Sequence, residues 1–190
     1  MSVTEPIPTL ELDDIQSGAV RPRPAPYAAT YILLRIDDRH AGRELMRRLS
    51  AVVTSAANPT SPLADTFVSV ALTYQGLKAL GLPQASLDSF GWEFQQGMAS
   101  RANQLGDTGD SSPDHWEAPL GSKDVHVVVA AVSPSAEKLE ASLERARQTY
   151  RQFQGVTAIW RQDCYALDSE TEHFGFRDGI SHPAIEGTGI

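Results

Sequence analysis

The densest chemistry in this 190-residue chain lies near its carboxy-terminal end, in the run His173-Phe174-Gly175-Phe176-Arg177-Asp178-Gly179-Ile180-Ser181-His182-Pro183. Its centre is a carboxylate, Asp178, bracketed by Gly175 and Gly179. Glycine reaches positive φ without a Cβ clash and lets backbone lie directly against a flat ligand. Phe174 and Phe176 are placed to exclude water around the acid, and Pro183 stiffens the exit. The same letters also spell a plain turn, because Asp-Gly is among the commonest turn dipeptides. On GxxDG alone both readings stand.

Other reactive residues rank lower. The chain has five histidines. His40 falls at a helix start, His115 in a polar stretch and His126 within a strand, while His173 and His182 flank the motif. No pair has the helical spacing of a metal site. Cys164 is the single cysteine, so an internal disulfide and a Cys-built metal cage are both excluded; on a closing strand it reads as a small buried hydrophobe. Trp160 reads as core and Met98 as a gap filler. Nucleophilic-hydrolase and phosphate-loop signatures are absent.

The elements that must position Asp178 follow from hydrophobic periodicity. Residues 1–26 are polar and Pro-rich and read as an extended segment. Tyr27–Ile36 is a run of β-formers. Asp37 and Asp38 can cap a helix with Ala41, Leu45, Leu49, Val52 and Ala56 at near-helical spacing. Phe67–Leu72 alternates, with Val68, Val70 and Leu72 on one face. Tyr74–Leu80 is a short helix ended by Gly81. Asp124–Val132 is a strand, after which Ser133 caps, and Pro134 opens, a helix with Ala136, Leu139, Leu143, Ala146, Tyr150 and Phe153 on one side. Gly155 ends that helix, and Val156–Ala166 returns as a strand. Strand–helix–strand, twice over, is the order of a ferredoxin-like split βαβ domain: an α+β fold whose antiparallel sheet carries helices on one face and leaves the other to a partner. The domain spans 27–168, with a long insertion at 82–123 of the kind that is usually functional or partly disordered. Residues 169–190 form the loop with GxxDG.

Composition narrows the partners. Hydrophobic residues make up 41% of the chain and charged residues 21%, with a formal net charge of −8. An acidic balance without a Lys/Arg run argues against nucleic acid and anionic membranes. No apolar run is long enough to span a bilayer, and the amino terminus has neither the basic nor the apolar region of a secretory signal. A cytoplasmic location is the expectation.

The string FGFRDGISHP, just after the closing strand of a split βαβ domain, resembles the signature of the dye-decolourising peroxidases. LTYQGLKALGLP, after the second strand, and FQQGMASRANQLGDTGDSSPDHW, before the third, resemble the same family in the expected order. The resemblance covers the chain from about Tyr27 onward. It implies a haem b enzyme of two ferredoxin-like domains, this chain being the first. Asp178 would then take a proton from hydrogen peroxide and return it to the departing oxygen, and the oxidised haem would draw single electrons from a reducing organic substrate such as a dye or phenol. Phe174, Asp178, Gly179, Ile180, Ser181 and His182 would line the distal haem pocket. Since a free Asp titrates near 4, an acidic activity optimum is expected.

Two departures from the family pattern bear on this. His182 stands where the family usually has Gln; it either serves a haem propionate or the peroxide channel, or is an ordinary loop imidazole. Arg177 likewise faces a propionate or solvent. The family's axial His and distal Arg belong to a carboxy-terminal half, cut away or supplied by a separate polypeptide, so that these 190 residues alone are expected to bind haem poorly and lack turnover. No metal ligand is assigned within the chain. Two alternatives remain open here: a non-catalytic ferredoxin-like module that dimerises through its open sheet face, and another haem-dependent reaction such as deferrochelation or a chlorite-dismutase-like activity. A homo-oligomer is compatible with each.

Overall fold

The computed structural model describes residues 9–24, 26–57, 66–167, 171–177 and 185–187. In chain order these form α1 (Ser17–Val20), β1 (Ala28–Ile36), α2 (Arg39–Leu49), β2 (Phe67–Leu72), α3 (Tyr74–Ala79), α4 (Gln84–Asp88), α5 (Trp92–Gln96), α6 (Ala102–Leu105), β3 (Val127–Ser133), α7 (Ala136–Arg151) and β4 (Val156–Tyr165). The strands make one sheet in the order β2-β3-β1-β4, and each neighbouring pair is antiparallel. This is the ferredoxin-like split βαβ arrangement read from the sequence.

Alternation along the strands divides the sheet into two faces. On one, Ile32, Leu34, Ile36, Val68, Val127, Val129 and Ala131 meet Leu45 and Leu49 of α2 and Leu139, Leu143, Ala146 and Tyr150 of α7 in a single buried core. α2 is fastened by Asp38, whose side chain accepts from Ala41 N. On the other face the register lines up three rows: Phe67, Val132, Ala29 and Cys164; Ser69, Ala130, Tyr31 and Gln162; Ala71, Val128, Leu33 and Trp160. That face is only partly covered. α1 lies against Ser69 so closely that a Cβ on Gly18 would come 2.8 Å from its Oγ. The insertion reaches the opposite edge, where Trp160 Nε1 donates to Glu117 Oε1 at 3.1 Å.

Several local expectations shift. Ser135, not Ser133, caps α7, accepting from Lys138 N; Ser133 is instead buried at the end of β3, its hydroxyl 2.9 Å from that of Thr66. Pro134 therefore lies outside the helix. α2 ends at Leu49, so Val52 and Ala56 pack from the following turns rather than from the helix. The amino-terminal segment is not simply extended: besides α1, Gln16 brackets Val70, its Nε2 donating to the carbonyl and its Oε1 accepting from the N–H. His126 precedes β3, and its Nδ1 accepts from Ile36 N at 2.9 Å. Cys164 and Trp160 are half-buried on the second sheet face, and Met98 is 59% exposed rather than filling a gap. The insertion is a string of short helical turns, with Phe90 tilted against Phe94 and Tyr74 edge-on to Phe94.

A polar chain runs along the sheet edge beneath α7. Buried Thr30 donates to Asp163 Oδ1 at 2.6 Å, Arg161 Nε donates to the same oxygen at 2.8 Å, and Arg161 Nη2 continues to Glu140 of α7 at 2.6 Å. The Thr30 hydroxyl, ahead of Arg161, holds the Asp163 carboxyl below its ordinary range against the opposing effect of burial. A depressed carboxylate stabilises the fold above its unfolded pKa and loses that contribution as pH falls through the folded value. Thr30→Val is expected to cost about 1 kcal/mol at neutral pH, discounted because the carboxylate remains partly solvated. That cost should shrink below about pH 4, where the unfolded carboxylate titrates. Urea denaturation at both pH values checks this; an undiminished cost at low pH would mean the hydroxyl acts through packing alone. A second prediction concerns α3, whose Gly76 faces the His126 carbonyl: a Cβ there would stand 2.0 Å from that oxygen. Gly76→Ala should destabilise by about 3 kcal/mol, the upper end of ordinary overpacking, read as a lowered denaturation midpoint. A midpoint within error of the parent protein would show that α3 can lift off the strand without loss.

Candidate active site

β4 delivers the chain to the site. Its last residue, Tyr165, pairs with Ala28, and Ala166 N adds one more rung by donating to Tyr27 O. A few residues on, Thr171 and Arg177 face each other in an isolated antiparallel bridge, with the motif's first half looped between them. Within that loop Glu172 N donates to Phe176 O at 2.8 Å and Gly175 N to Glu172 O at 2.9 Å. Gly175 sits at φ +89°, and a Cβ there would meet nothing within 4 Å. Glycine is needed here for its left-handed backbone rather than for room, which is one of the two roles the sequence suggested.

The loop leans on the sheet through one ring contact: His173 is edge-on to Tyr165, with centroids 6.3 Å apart. The aromatics expected to shield the acid lie open in this chain. Phe174 is 87% exposed and Phe176 is 74% exposed. Large apolar side chains this bare call for cover from another surface. Of the site residues named from the sequence, Phe174 is described; Asp178, Gly179, Ile180, Ser181 and His182 lie outside the described residues. Arg177 is exposed at the end of the bridge.

The four described histidines do not converge. His40 opens α2 on the surface, His115 Nδ1 lies 3.1 Å from Gly109 O, His126 is engaged with Ile36 N, and His173 stays at the loop. Among the described residues no three His, Cys, Asp or Glu side chains gather into a metal-binding group, and no helix is long and apolar enough to cross a membrane. The residue that motif reading passes over is Glu172. Both its carboxylate oxygens accept backbone N–H groups of the loop, Oε2 from Phe174 at 3.2 Å and Oε1 from Phe176 at 3.1 Å. The signal available in the sequence was slight: an acid at the mouth of a Gly-containing turn, where such side chains turn back on their own backbone.

Comparison with known proteins places this architecture. The family model described as the DyP dimeric alpha+beta barrel domain matches residues 27–159. Peroxidase 2 of Mycetinis scorodonius is 33% identical over 152 residues, covering 75% of this chain and 26% of that protein. The dye-decolorizing peroxidase msp1 of the same fungus is 30% identical over 149 residues, covering 77% and 27%. Among solved structures, an ancestral D-type dye-decolorizing peroxidase superimposes with a TM-score of 0.79 at 28% identity, covering 95% of this chain and 41% of that one. The chain thus spans about a quarter of the length of the curated relatives it matches. The family match over 27–159, on a sheet with the expected order and a GxxDG loop leaving its edge strand, shows that this chain belongs to the dye-decolourising peroxidase family, of which it carries the amino-terminal domain.

Proposed function

We propose that the chain forms the distal side of a haem peroxidase, with Asp178 as its acid–base residue and the remainder of the site supplied by a carboxy-terminal half. The observation that carries this reading is the family match over residues 27–159, from β1 into the start of β4, with GxxDG following that strand in the sequence. The named relatives are peroxidases, which favours catalysis over a non-catalytic dimerising module.

The haem that the family implies finds a compatible surface here. Phe174, Phe176 and Tyr165 are all more than half exposed at the end of β4, and a flat apolar macrocycle is the kind of partner that covers such rings. Phe174, Gly179, Ile180, Ser181 and His182 would hold it on this side, with the axial ligand coming from outside the chain. When bound, haem b supplies the redox chemistry, a two-electron reduction of hydrogen peroxide followed by one-electron oxidations of an organic reductant.

The work of this chain's own residues is protonic and steric. The Asp178 carboxylate takes a proton from one oxygen of hydrogen peroxide and returns it to the other, which leaves as water. Once covered by the haem, the Phe174 and Phe176 rings, open in this chain, would keep bulk water away from that exchange. A carboxylate base stays ionised in mild acid where an imidazole would already be protonated.

In the complete, haem-loaded enzyme, Asp178→Asn should leave haem content unchanged while slowing peroxide consumption by about 10²–10⁴-fold, the usual share of general acid–base catalysis. Stopped-flow mixing with hydrogen peroxide measures it; a variant as fast as the parent removes Asp178 from the mechanism. The pH dependence offers an independent check. The peroxide step should rise as Asp178 ionises and reach its plateau in mildly acidic buffer, so a profile still climbing above pH 7 counts against a carboxylate base.

A further inference from the structure

The sheet has two edges, and they are defended differently. β4, at one end of the order, carries Arg161 and Asp163 and shifts its register against β1 at Leu33/Leu34. Charges and bulges are common guards of an edge strand. β2, at the other end, has neither: FVSVAL is uncharged, free of Pro and Gly, and runs against β3 in unbroken register. That composition favours pairing with a copy of itself. In an antiparallel edge strand alternate residues turn both N–H and C=O outward. In the middle of β2 these are Val68 and Val70, and all four of their groups are taken. The Gln16 amide donates to Val70 O at 3.0 Å and accepts from Val70 N at 2.7 Å. Thr54 N donates to Val68 O at 2.9 Å, and Thr54 Oγ1 accepts from Val68 N at 3.0 Å. Both covers belong to one assembly. Ser17, itself buried, donates from its N–H to Thr54 O and from Oγ to Ser55 O, while Ala56 N donates to Ile15 O.

We infer that the amino-terminal segment is an edge guard: Gln16, anchored by Ser17, occupies the backbone groups through which β2 would otherwise pair with β2 of a second copy of this chain. A second copy is the fitting occupant because identical strands pairing antiparallel about a twofold axis satisfy both edges at once. β2 also brings no charge that would repel its own copy. The guarding residues lie outside the stretch 27–159 that the family model matches. The inference is independent of the peroxidase reading and stands or falls without it.

The test follows the complete protein by sedimentation velocity over a concentration series, as parent, Gln16→Ala, Gln16→Ala/Ser17→Asp, and each variant combined with Ala71→Lys. Ser17→Asp sets a charge in a buried position facing the Ser55 carbonyl and so expels the segment. Ala71 is exposed on β2, and Ala71→Lys gives that strand the kind of charge β4 already has. Gln16→Ala/Ser17→Asp should at least double in mass relative to the parent as concentration rises, and adding Ala71→Lys should return it to the mass of Ala71→Lys alone. In dilute Gln16→Ala the Val70 amide should exchange its hydrogen at least about 10-fold faster than in the parent, and regain protection on association. Association that Ala71→Lys does not reverse comes from unfolding rather than from β2, and overturns the proposal. A mass that stays at the parent value while only the melting temperature falls makes the segment a brace and not a guard, and overturns it too. If Gln16→Ala/Ser17→Asp does not accumulate, Gln16→Ala decides alone: growth with concentration that Ala71→Lys reverses supports the guard, and constant mass removes it.

Discussion

β1 is hydrogen-bonded on both sides, to β3 along Ala28–Leu34 and to β4 along Ala28–Ile36. It also presents Ile32, Leu34 and Ile36 to both helices of the core. A strand with no free edge and its helix-facing side chains buried admits one register, because a slip by one residue would turn those side chains out of the core. The register of β4 is therefore fixed by β1, even though β4 is itself an edge strand with much of its side-chain surface in solvent. Thr30 reinforces that seam, reaching from the buried strand to Asp163 on the edge. The loop bearing the candidate acid is the direct continuation of β4. Its described part, Thr171–Arg177, touches the strand through His173 against Tyr165.

The same constraint explains which parts of the fold could be read in advance. Strands and helices with one face turned to the core announce themselves by period: β2 through Val68, Val70 and Leu72, and α7 through Leu139, Leu143, Ala146 and Tyr150. Where two neighbouring residues can do the same job, periodicity is silent. Ser133 and Ser135 flank a proline, and either could cap a helix; the choice falls on Ser135 because β3 runs on far enough to bury Ser133 against Thr66. Cys164 and Trp160 depart from the core for a related reason. They sit on a strand, but on the face without the helices, and only the register reveals which face a residue joins. Met98 looked apolar enough for a core and lies instead in the insertion, where there is little core to enter.

That insertion shows how a long polar stretch acquires structure without a hydrophobic centre of its own. Its helices are too short to be stable in isolation, so each is held by local contacts: the Phe90–Phe94–Tyr74 ring cluster, Arg101 over the Trp92 ring, and the Trp116 indole donating to Ser111 O. Glu117 then ties it to β4 through Trp160. None of these pairings follows a periodic rule, which is why the sequence indicated an excursion there but not its course. The family resemblance covered the same stretch through its letters and likewise left its course open.

The candidate site combines the two kinds of legibility. GxxDG and its flanking phenylalanines are visible as a motif, because chemistry restricts which residue types can stand there. Glu172 is not, because its task is met by hydrogen bonds to backbone N–H groups, and backbone carries no sequence signature. Phe174 and Phe176 are exposed, so burial of their rings does not fix the loop. Polar bonds within the loop are the remaining means of ordering it, and among the described residues these converge on Glu172. The exposure of Phe174 and Phe176 and the hydrogen bonds of Glu172 thus go together: the rings are left bare, and the backbone between Glu172 and Phe176 is tied by polar bonds instead.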